Sequence, residues 1–127
     1  MKTKIETSGA PRATGPFSQG IVTGQFVFTS GQIYLTPEGK LLEGTIEEQV
    51  HQIMKNLGAI LKDAGVTFEN VVKTTIYVTD MSIYGQVNIV YGSYFKDPPF
   101  PARETVCVKE LPLGAKVEIS MVAVKNI

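Results

Sequence analysis

A long amphipathic helix is predicted by TIEEQVHQIMKNLGAILKDAG, the stretch at residues 45–65, and it is the clearest element of the chain. Thr45 and Glu48 form a capping box, in which the hydroxyl and the carboxylate each satisfy one free backbone N–H. Gly65 is typical of the left-handed residue that follows a helix. Apolar residues recur every three or four positions and therefore share one buried face. They are Ile46, Val50, Ile53, Met54, Leu57, Ile60, Leu61 and Ala64.

Around this helix, β-branched and aromatic residues predict four strands, at residues 25–31, 71–79, 102–108 and 116–124. A second helix is predicted from Asp80 or Ser82 to about Lys96. Glycine and proline make residues 8–20 and 97–101 irregular. The order is loop, strand, helix, strand, helix, strand, strand. It indicates one α+β domain, residues 1–127, with two helices on one face of a mixed sheet.

The strand at residues 116–124 carries apolar side chains on both of its faces. One alternating set is Val117, Ile119, Met121 and Ala123, and the other is Glu118, Ser120, Val122 and Val124. Because the helices cover only one face of the sheet, the second set predicts burial against another subunit.

Charge and composition argue against several classes of protein. The 127 residues include 12 Lys plus Arg and 12 Asp plus Glu, and this zero net charge disfavours a protein that binds nucleic acid through its phosphates. One Cys excludes an internal disulfide and a multi-cysteine zinc site. No apolar run of about 20 residues is present, and the first twelve residues lack a signal peptide's apolar core, so we expect a cytoplasmic protein.

Arg103 and Glu118, which we expect on neighbouring strands, are the two charged residues around which a site is most simply built. A period of two places Arg103 on the same strand face as Cys107. There its guanidinium either binds a ligand carboxylate or forms an ion pair with Glu118 or a surface carboxylate. Glu118 lies in the most apolar strand, so it is either paired or tuned for acid–base chemistry, unless it is an exposed glutamate beside Lys116.

The cysteine and the histidine give weaker signals. Cys107, in an apolar strand, is typical of a small core residue. His51 lies roughly 120° from the apolar stripe of the first helix, as a solvated histidine does. Since a Ser–His or Cys–His nucleophile would need this single histidine, that class of enzyme is disfavoured.

The chain resembles the RidA/YjgF family of small imine deaminases over nearly its whole length. The similarity lies in residues 14–20 (TGPFSQG), 29–33 (TSGQI), 71–79, 87–88 (VN), 91–95, 100–103 (FPAR) and 117–119 (VEI). The resemblance implies a chorismate mutase-like fold, with a mixed sheet and two helices packed on one face. It also implies a homotrimer with the sheets inside and three sites between neighbouring chains.

This resemblance further implies a reaction. Family members hydrolyse 2-imino acids, such as 2-iminopropanoate and 2-iminobutanoate, to 2-oxo acids and ammonia. The imines arise from the aminoacrylate that pyridoxal-phosphate dehydratases release from serine or threonine. The resemblance implies no metal, no organic cofactor, and no nucleic-acid or membrane partner.

Carried over by position, Arg103 would hold the substrate carboxylate, and Glu118 would orient or deprotonate the attacking water. The carbonyl of Gly31 and the amide of Cys107 would face the imine nitrogen and the carboxylate. The cleft would be lined by Phe17, Ser30 and Asn88. Tyrosine is the family's usual residue where this chain has Phe17, so one hydroxyl donor is missing.

Two other functions compete with the deaminase. The same cleft would serve a non-catalytic, regulatory module that binds a small carboxylate, and Phe17 keeps this alternative open. Cleavage of RNA, an activity ascribed to some relatives, is disfavoured by the zero net charge and by the lack of a basic surface with stacking side chains.

Overall fold

A computed structural model describes residues 1–126 of the chain. The strands are β1 (Lys2–Ile5), β2 (Gly20–Thr23), β3 (Phe26–Thr29), β4 (Val71–Val78), β5 (Ala102–Cys107) and β6 (Val117–Val124), and the helices are α1 (Ile46–Asp63) and α2 (Tyr84–Gly92). Short 3-10 turns lie at Phe68–Asn70, Met81–Ile83 and Pro112–Gly114. Within residues 1–126, no helix is both long enough and apolar enough to cross a membrane.

The predicted capping box starts helix α1. The Thr45 hydroxyl accepts a hydrogen bond from the Glu48 amide at 3.1 Å, and the Glu48 carboxylate accepts one from the Thr45 amide at 2.8 Å. The hydrogen bond from the Thr45 amide, together with the Thr45 hydroxyl beside it, holds the pKa of the exposed Glu48 carboxyl below its ordinary value. The apolar face of α1 is fully buried against the sheet at Val50, Ile53, Met54, Leu57, Ile60 and Leu61. The long predicted helix is therefore confirmed.

The six strands form one mixed sheet in the order β1-β2-β3-β6-β4-β5. Only β4 and β5 run parallel, and every other pair is antiparallel. The four predicted strands are all present. The sequence interpretation missed β1 and β2.

Helix α2 is shorter than the predicted span of 80–96. Asp80 does act as a cap, since its carboxylate accepts from the Ser82 amide at 2.9 Å, but it caps the 3-10 turn that precedes the helix. After Gly92 the backbone hydrogen bonds join residues three apart, as in a 3-10 turn; for example, the Phe95 amide donates to the Gly92 carbonyl at 3.1 Å. The aromatic residues that follow therefore pack as a cluster beside Phe68, outside the helix.

The sheet has one covered face and one open face. Both helices pack on the face that carries Ile76, Val78, Val117, Ile119, Met121 and Ala123, which are buried. The other face, called the open face below, carries Phe26 and Phe28, which are 50% and 42% exposed. Their rings stack with centroids 6.1 Å apart. As expected from the last strand, both faces are apolar, and the chain itself covers only one.

A one-residue bulge interrupts the pairing of β3 with β6. Phe28 lies opposite Val122, and the next bridge joins Gln32 to Ile119. From Phe28 to Gln32 the chain advances by four residues, whereas β6 advances by only three, from Val122 to Ile119. The one extra residue lies within 29–31. The bulge brings the backbone of Gly31 against the side chain of Glu118.

Candidate functional site

Helix α2 holds the guanidinium of Arg103 at two points. Arg103 lies opposite Thr74 in the register of β4 and β5, so its side chain points to the helix-covered face. Its Nη1 donates to Asn88 Oδ1 at 2.6 Å and its Nη2 donates to Tyr84 Oη at 2.7 Å. Since each terminal nitrogen has its own acceptor, the plane of the guanidinium is fixed.

The positive charge of Arg103 has no carboxylate partner within residues 1–126, where the ion pairs are Lys4 with Glu6 and Lys73 with Glu104. Within one chain, the alternative of an ion pair with Glu118 or a surface carboxylate is therefore wrong. Both acceptors of the guanidinium are neutral, so they orient the charge without cancelling it. An incoming anion would meet a fixed and uncompensated cation.

Tyr91 forms the inner wall behind this guanidinium. Its ring centroid is 5.2 Å from Arg103 Cζ, within the range of a cation–π contact. The Tyr91 hydroxyl donates to Thr74 Oγ1 at 3.0 Å in the interior. Burial raises the pKa of Tyr91, while the bond to Thr74 and the charge of Arg103 oppose that rise. Tyr91 is therefore a neutral phenol that stiffens the wall.

A cavity of about 320 Å³ opens beside the guanidinium. It is lined by Asn88, Tyr91, Gly92, Phe95, Phe100, Pro101 and Arg103. A volume near the lower end of known ligand sites suits a small acid, with one charged group among apolar walls. A second cavity of about 760 Å³, on the far side of Phe95 and Phe100, contains none of the predicted site residues.

Glu118 lies on the open face, opposite Tyr77 of strand β4. It is half-buried, and burial alone raises the pKa of its carboxyl above the ordinary value of 4.5. A raised pKa brings a carboxylate closer to the range in which it accepts and returns a proton near neutral pH. The half-buried position excludes the alternative of a freely exposed glutamate.

The bulge places Ser30 and Gly31 next to this carboxylate. A Cβ atom on Gly31 would come within 2.7 Å of Glu118 Cδ, so only glycine allows the backbone of the bulge to approach this side chain so closely. The Ser30 hydroxyl donates to the carbonyl of Ser18 at 2.5 Å, which ties the bulge to the predicted loop.

Buried Gln19 organises that loop, which the structure shows without helix or strand over residues 7–19. Its Oε1 accepts from the Thr7 amide at 2.7 Å, and its Nε2 donates to the carbonyls of Thr7, Ala10 and Pro11 at 3.0, 3.3 and 2.9 Å. Phe17, at the tip of the same loop, is 57% exposed. The loop is thus anchored internally while it presents an aromatic ring outward.

Cys107 is exposed, so its interpretation as a core residue is wrong. It ends edge strand β5, where no further strand covers its outer side. The Val108 amide donates to the Val78 carbonyl at 2.8 Å, and backbone groups alternate in direction along a strand. The Cys107 amide therefore points away from β4 and is available as a donor, near the side of the sheet that carries Arg103.

Within one chain, these residues form two separate groups. Arg103, Asn88 and Cys107 lie at the helix-covered side of β5, whereas Glu118, Ser30 and Gly31 lie by the open face of β6. Arg103 and Glu118 were expected on neighbouring strands, and this expectation is wrong because β4 lies between β5 and β6. A single chain does not bring the guanidinium and the carboxylate together.

Tyr84 and Gln19 are functional candidates that the sequence interpretation missed. Tyr84 is one helical turn before Asn88, and this spacing of four residues was an available signal that both face the same way. Gln19 gave no comparable signal, because a buried amide inside a Gly- and Pro-rich loop has no periodic context. His51 is exposed as predicted, and its Nδ1 lies 2.8 Å from Tyr94 Oη.

A family model described as Endoribonuclease L-PSP matches residues 7–125. The chain belongs to the Endoribonuclease L-PSP family. The resemblance to RidA/YjgF proteins is thereby confirmed, since this family includes relatives named as imine deaminases.

Individual members of the L-PSP family are similar over almost the full chain. A RutC family protein of Aquifex aeolicus is 54% identical over 124 residues, which cover 96% of this chain and 98% of that protein. A mouse protein named 2-iminobutanoate/2-iminopropanoate deaminase is 45% identical and covers 96% of this chain and 90% of its own. The crystal structure of Escherichia coli TdcF with bound serine is 35% identical, with a TM-score of 0.92 and coverage of 98% and 99%. The two-helix mixed sheet is thus the fold of this family.

Proposed function

We propose that the protein hydrolyses 2-imino acids, such as 2-iminopropanoate and 2-iminobutanoate, to 2-oxo acids and ammonia. The observation that carries this proposal is the guanidinium of Arg103. Two neutral acceptors fix it beside a small cavity, and no carboxylate among residues 1–126 of its own chain forms an ion pair with it. Such a group binds the carboxylate common to all these substrates. The name of the mouse relative supports the choice of reaction.

The reaction needs one bound anion and one proton carrier. With the carboxylate held by Arg103, the oxygen of a water molecule adds to C2 of the protonated imine, while Glu118 takes a proton from that water. Glu118 then returns the proton to the amino nitrogen of the tetrahedral adduct. As the C–N bond breaks, ammonia leaves and the hydroxyl of the adduct gives its proton to Glu118, which leaves the 2-oxo acid; Glu118 then passes this proton to ammonia. General-base assistance of this kind contributes about 10²–10⁴-fold.

The site is proposed to form between two chains of a homotrimer. The open face, with exposed Phe26 and Phe28, supports this arrangement because exposed aromatic area of this kind favours association. In this assembly the sheets lie inside, and Arg103 of one chain meets Glu118 of its neighbour across the cleft. Phe17, Ser30, Gly31, Asn88 and Cys107 would line that cleft.

The test couples a threonine dehydratase to the purified protein and follows 2-oxobutanoate formation. We expect faster formation than in buffer, and Arg103→Ala should abolish the acceleration while the oligomer stays intact. Lys55→Ala, which removes an exposed cation from α1, serves as the matched control and should leave the rate unchanged. A wild-type rate equal to that of buffer refutes the deaminase.

A second candidate is a regulatory module that binds a small carboxylate without turnover. The favouring observation is that the residues lining the Arg103 cavity within one chain do not include Glu118. The serine bound to the E. coli relative is consistent with a small carboxylate ligand. Binding of 2-oxobutanoate without imine hydrolysis would support this function over the first.

RNA cleavage, which the family description names, is not proposed for this chain. The formal net charge is zero, and the single histidine is hydrogen-bonded to Tyr94 rather than placed beside Arg103 or Glu118. Neither feature suits the recognition or the acid–base cleavage of a polyanion.

A further inference from the structure

Two side chains of helix α2, four residues apart, hold Arg103. Asn88 is already expected in the cleft, whereas Tyr84 has no assigned role. The Tyr84 hydroxyl lies 2.7 Å from Nη2, and its ring centroid lies 5.7 Å from Arg103 Cζ, against 5.2 Å for Tyr91. Tyr84 therefore meets the guanidinium through its hydroxyl more than through its ring.

We propose that Tyr84 is a positioning residue for Arg103 and sets the affinity of the site for the substrate carboxylate. This inference rests on the proposed function, because it concerns the same anion. With Asn88 alone, only Nη1 would be held, and the guanidinium plane could turn away from the carboxylate. With both acceptors, the remaining N–H groups keep one direction before the substrate arrives.

The hydroxyl also adds a donor of its own. Guanidinium nitrogens only donate, so the Tyr84 oxygen must accept from Nη2, and its own hydrogen is not used by Arg103. An approaching carboxylate thus meets a neutral O–H beside the charged fork. An acidic side chain in place of Tyr84 would hold Arg103 equally well but would cancel the charge that attracts the substrate.

The first experiment measures the Kd for 2-oxobutanoate by calorimetry and the kcat and KM for imine hydrolysis in Tyr84→Phe. Loss of one such hydrogen bond should raise Kd and KM by about three- to tenfold and change kcat by less than about twofold. Tyr94→Phe is the matched control, since its hydroxyl contacts His51 and not Arg103. The control should leave Kd and KM unchanged.

The second experiment asks whether Tyr84 acts through Arg103. In an Arg103→Lys background, where the planar fork is gone, Tyr84→Phe should change Kd by less than about twofold. An undiminished effect in that background, or an unchanged Kd in the single variant, overturns the inference.

The two hypotheses fail in different ways. If the wild-type protein binds 2-oxobutanoate but does not hydrolyse the imine, the deaminase is refuted, while the Kd of Tyr84→Phe still decides the role of Tyr84. If Tyr84→Phe hydrolyses the imine with the wild-type KM, the role of Tyr84 is refuted and the deaminase stands. If the wild-type protein neither binds 2-oxobutanoate nor hydrolyses the imine, both are overturned.

Discussion

Arg103 and Glu118 lie on opposite faces of one sheet, with strand β4 between the strands that carry them. The register fixes this arrangement, because Arg103 pairs with Thr74 on the helix-covered face and Glu118 pairs with Tyr77 on the open face. No rotation of either side chain brings the two groups onto one small substrate within the same chain. Chemistry that uses both groups requires two copies.

Complementation between two inactive variants tests this requirement. Arg103→Ala and Glu118→Gln should each be inactive alone, but mixed oligomers contain clefts with Arg103 from one chain and Glu118 from the other. With random mixing of equal amounts, about one cleft in four is intact, so about a quarter of the wild-type activity should return. Mixed oligomers are made by co-expression and assayed for 2-oxobutanoate formation.

The control for complementation mixes the single variant Arg103→Ala with a double variant that carries both Lys55→Ala and Arg103→Ala. Both chains then lack the guanidinium, and no cleft is repaired. If the Arg103→Ala and Glu118→Gln mixture remains as inactive as this control, the shared site is refuted.

The pH dependence of catalysis should report the raised pKa of Glu118. The carboxylate must be ionised to accept a proton, so kcat should fall as the pH drops through a pKa above 4.5. Glu118→Gln should lower kcat by about 10²–10⁴-fold and remove this acidic limb. An acidic limb that persists in Glu118→Gln would assign the titration to another group.

The raised pKa of Glu118 affects stability in the opposite direction: kcat rises with pH, whereas the free energy of unfolding falls. The folded chain favours the protonated carboxyl, so ionisation destabilises it as the pH rises from 4.5 through the raised pKa. Compared with Glu118→Gln, the wild-type chain should be relatively less stable above this window than below it. Urea unfolding of both proteins across the window measures the difference.

Substitution of Gly31 should separate activity from folding. In Gly31→Ala the new methyl group would collide with the flexible end of Glu118, which can move without unfolding the chain. A displacement of about 1 Å in a catalytic group can lower kcat by about 100-fold, so we expect this loss with a nearly unchanged Tm. Gly85→Ala, where an added Cβ has no neighbour within 4 Å, should keep full activity.

The loop at residues 7–19 should depend on Gln19. Gln19→Ala removes four hydrogen bonds from a side chain that is 4% exposed, and it should cost about 2–3 kcal/mol in the free energy of unfolding. Gln25→Ala, at an exposed amide in the turn between β2 and β3, should change stability by less than about 0.5 kcal/mol. If Gln19→Ala were as stable as the wild-type protein in urea unfolding, the loop would be held by other contacts.

The open face should govern the oligomeric state. Phe28→Lys places a charge on this face and should convert a trimer into folded monomers, measured by light scattering and circular dichroism. Ile89→Lys changes an apolar side chain that is 74% exposed on helix α2, and should leave the trimer intact. A Phe28→Lys trimer would contradict the proposed interface.

The sequence predicted best what local patterns determine. The span, cap and buried face of α1 follow from side chains within four residues of one another, and all were predictable. The β2–β3 hairpin had a signal too, because Gly24, with φ of 57°, stands in a two-residue turn between Thr23 and Phe26. Only β3 of this hairpin was predicted, because β2 follows directly on the Gly- and Pro-rich loop.

What the sequence could not predict depends on distant pairing. The last two strands along the chain, β5 and β6, are not neighbours, since β4 inserts between them. The sheet order is set by contacts between residues far apart in sequence, such as Tyr77 with Glu118. A period of two correctly put Arg103 and Cys107 on one face, but it could not relate that face to the face of Glu118.

The bulge within residues 29–31 makes the number of residues as important as their identity. If all these residues were kept and paired without a bulge, Gln32 would fall opposite Glu118 rather than Ile119, and every later side chain would change sides. A variant shortened by one residue here would retain Arg103, Glu118 and every aromatic ring, yet it would lose the bulge that brings the Gly31 backbone against the Glu118 side chain. Alignments of such chains should therefore weigh a gap at this point as heavily as the loss of the acid itself.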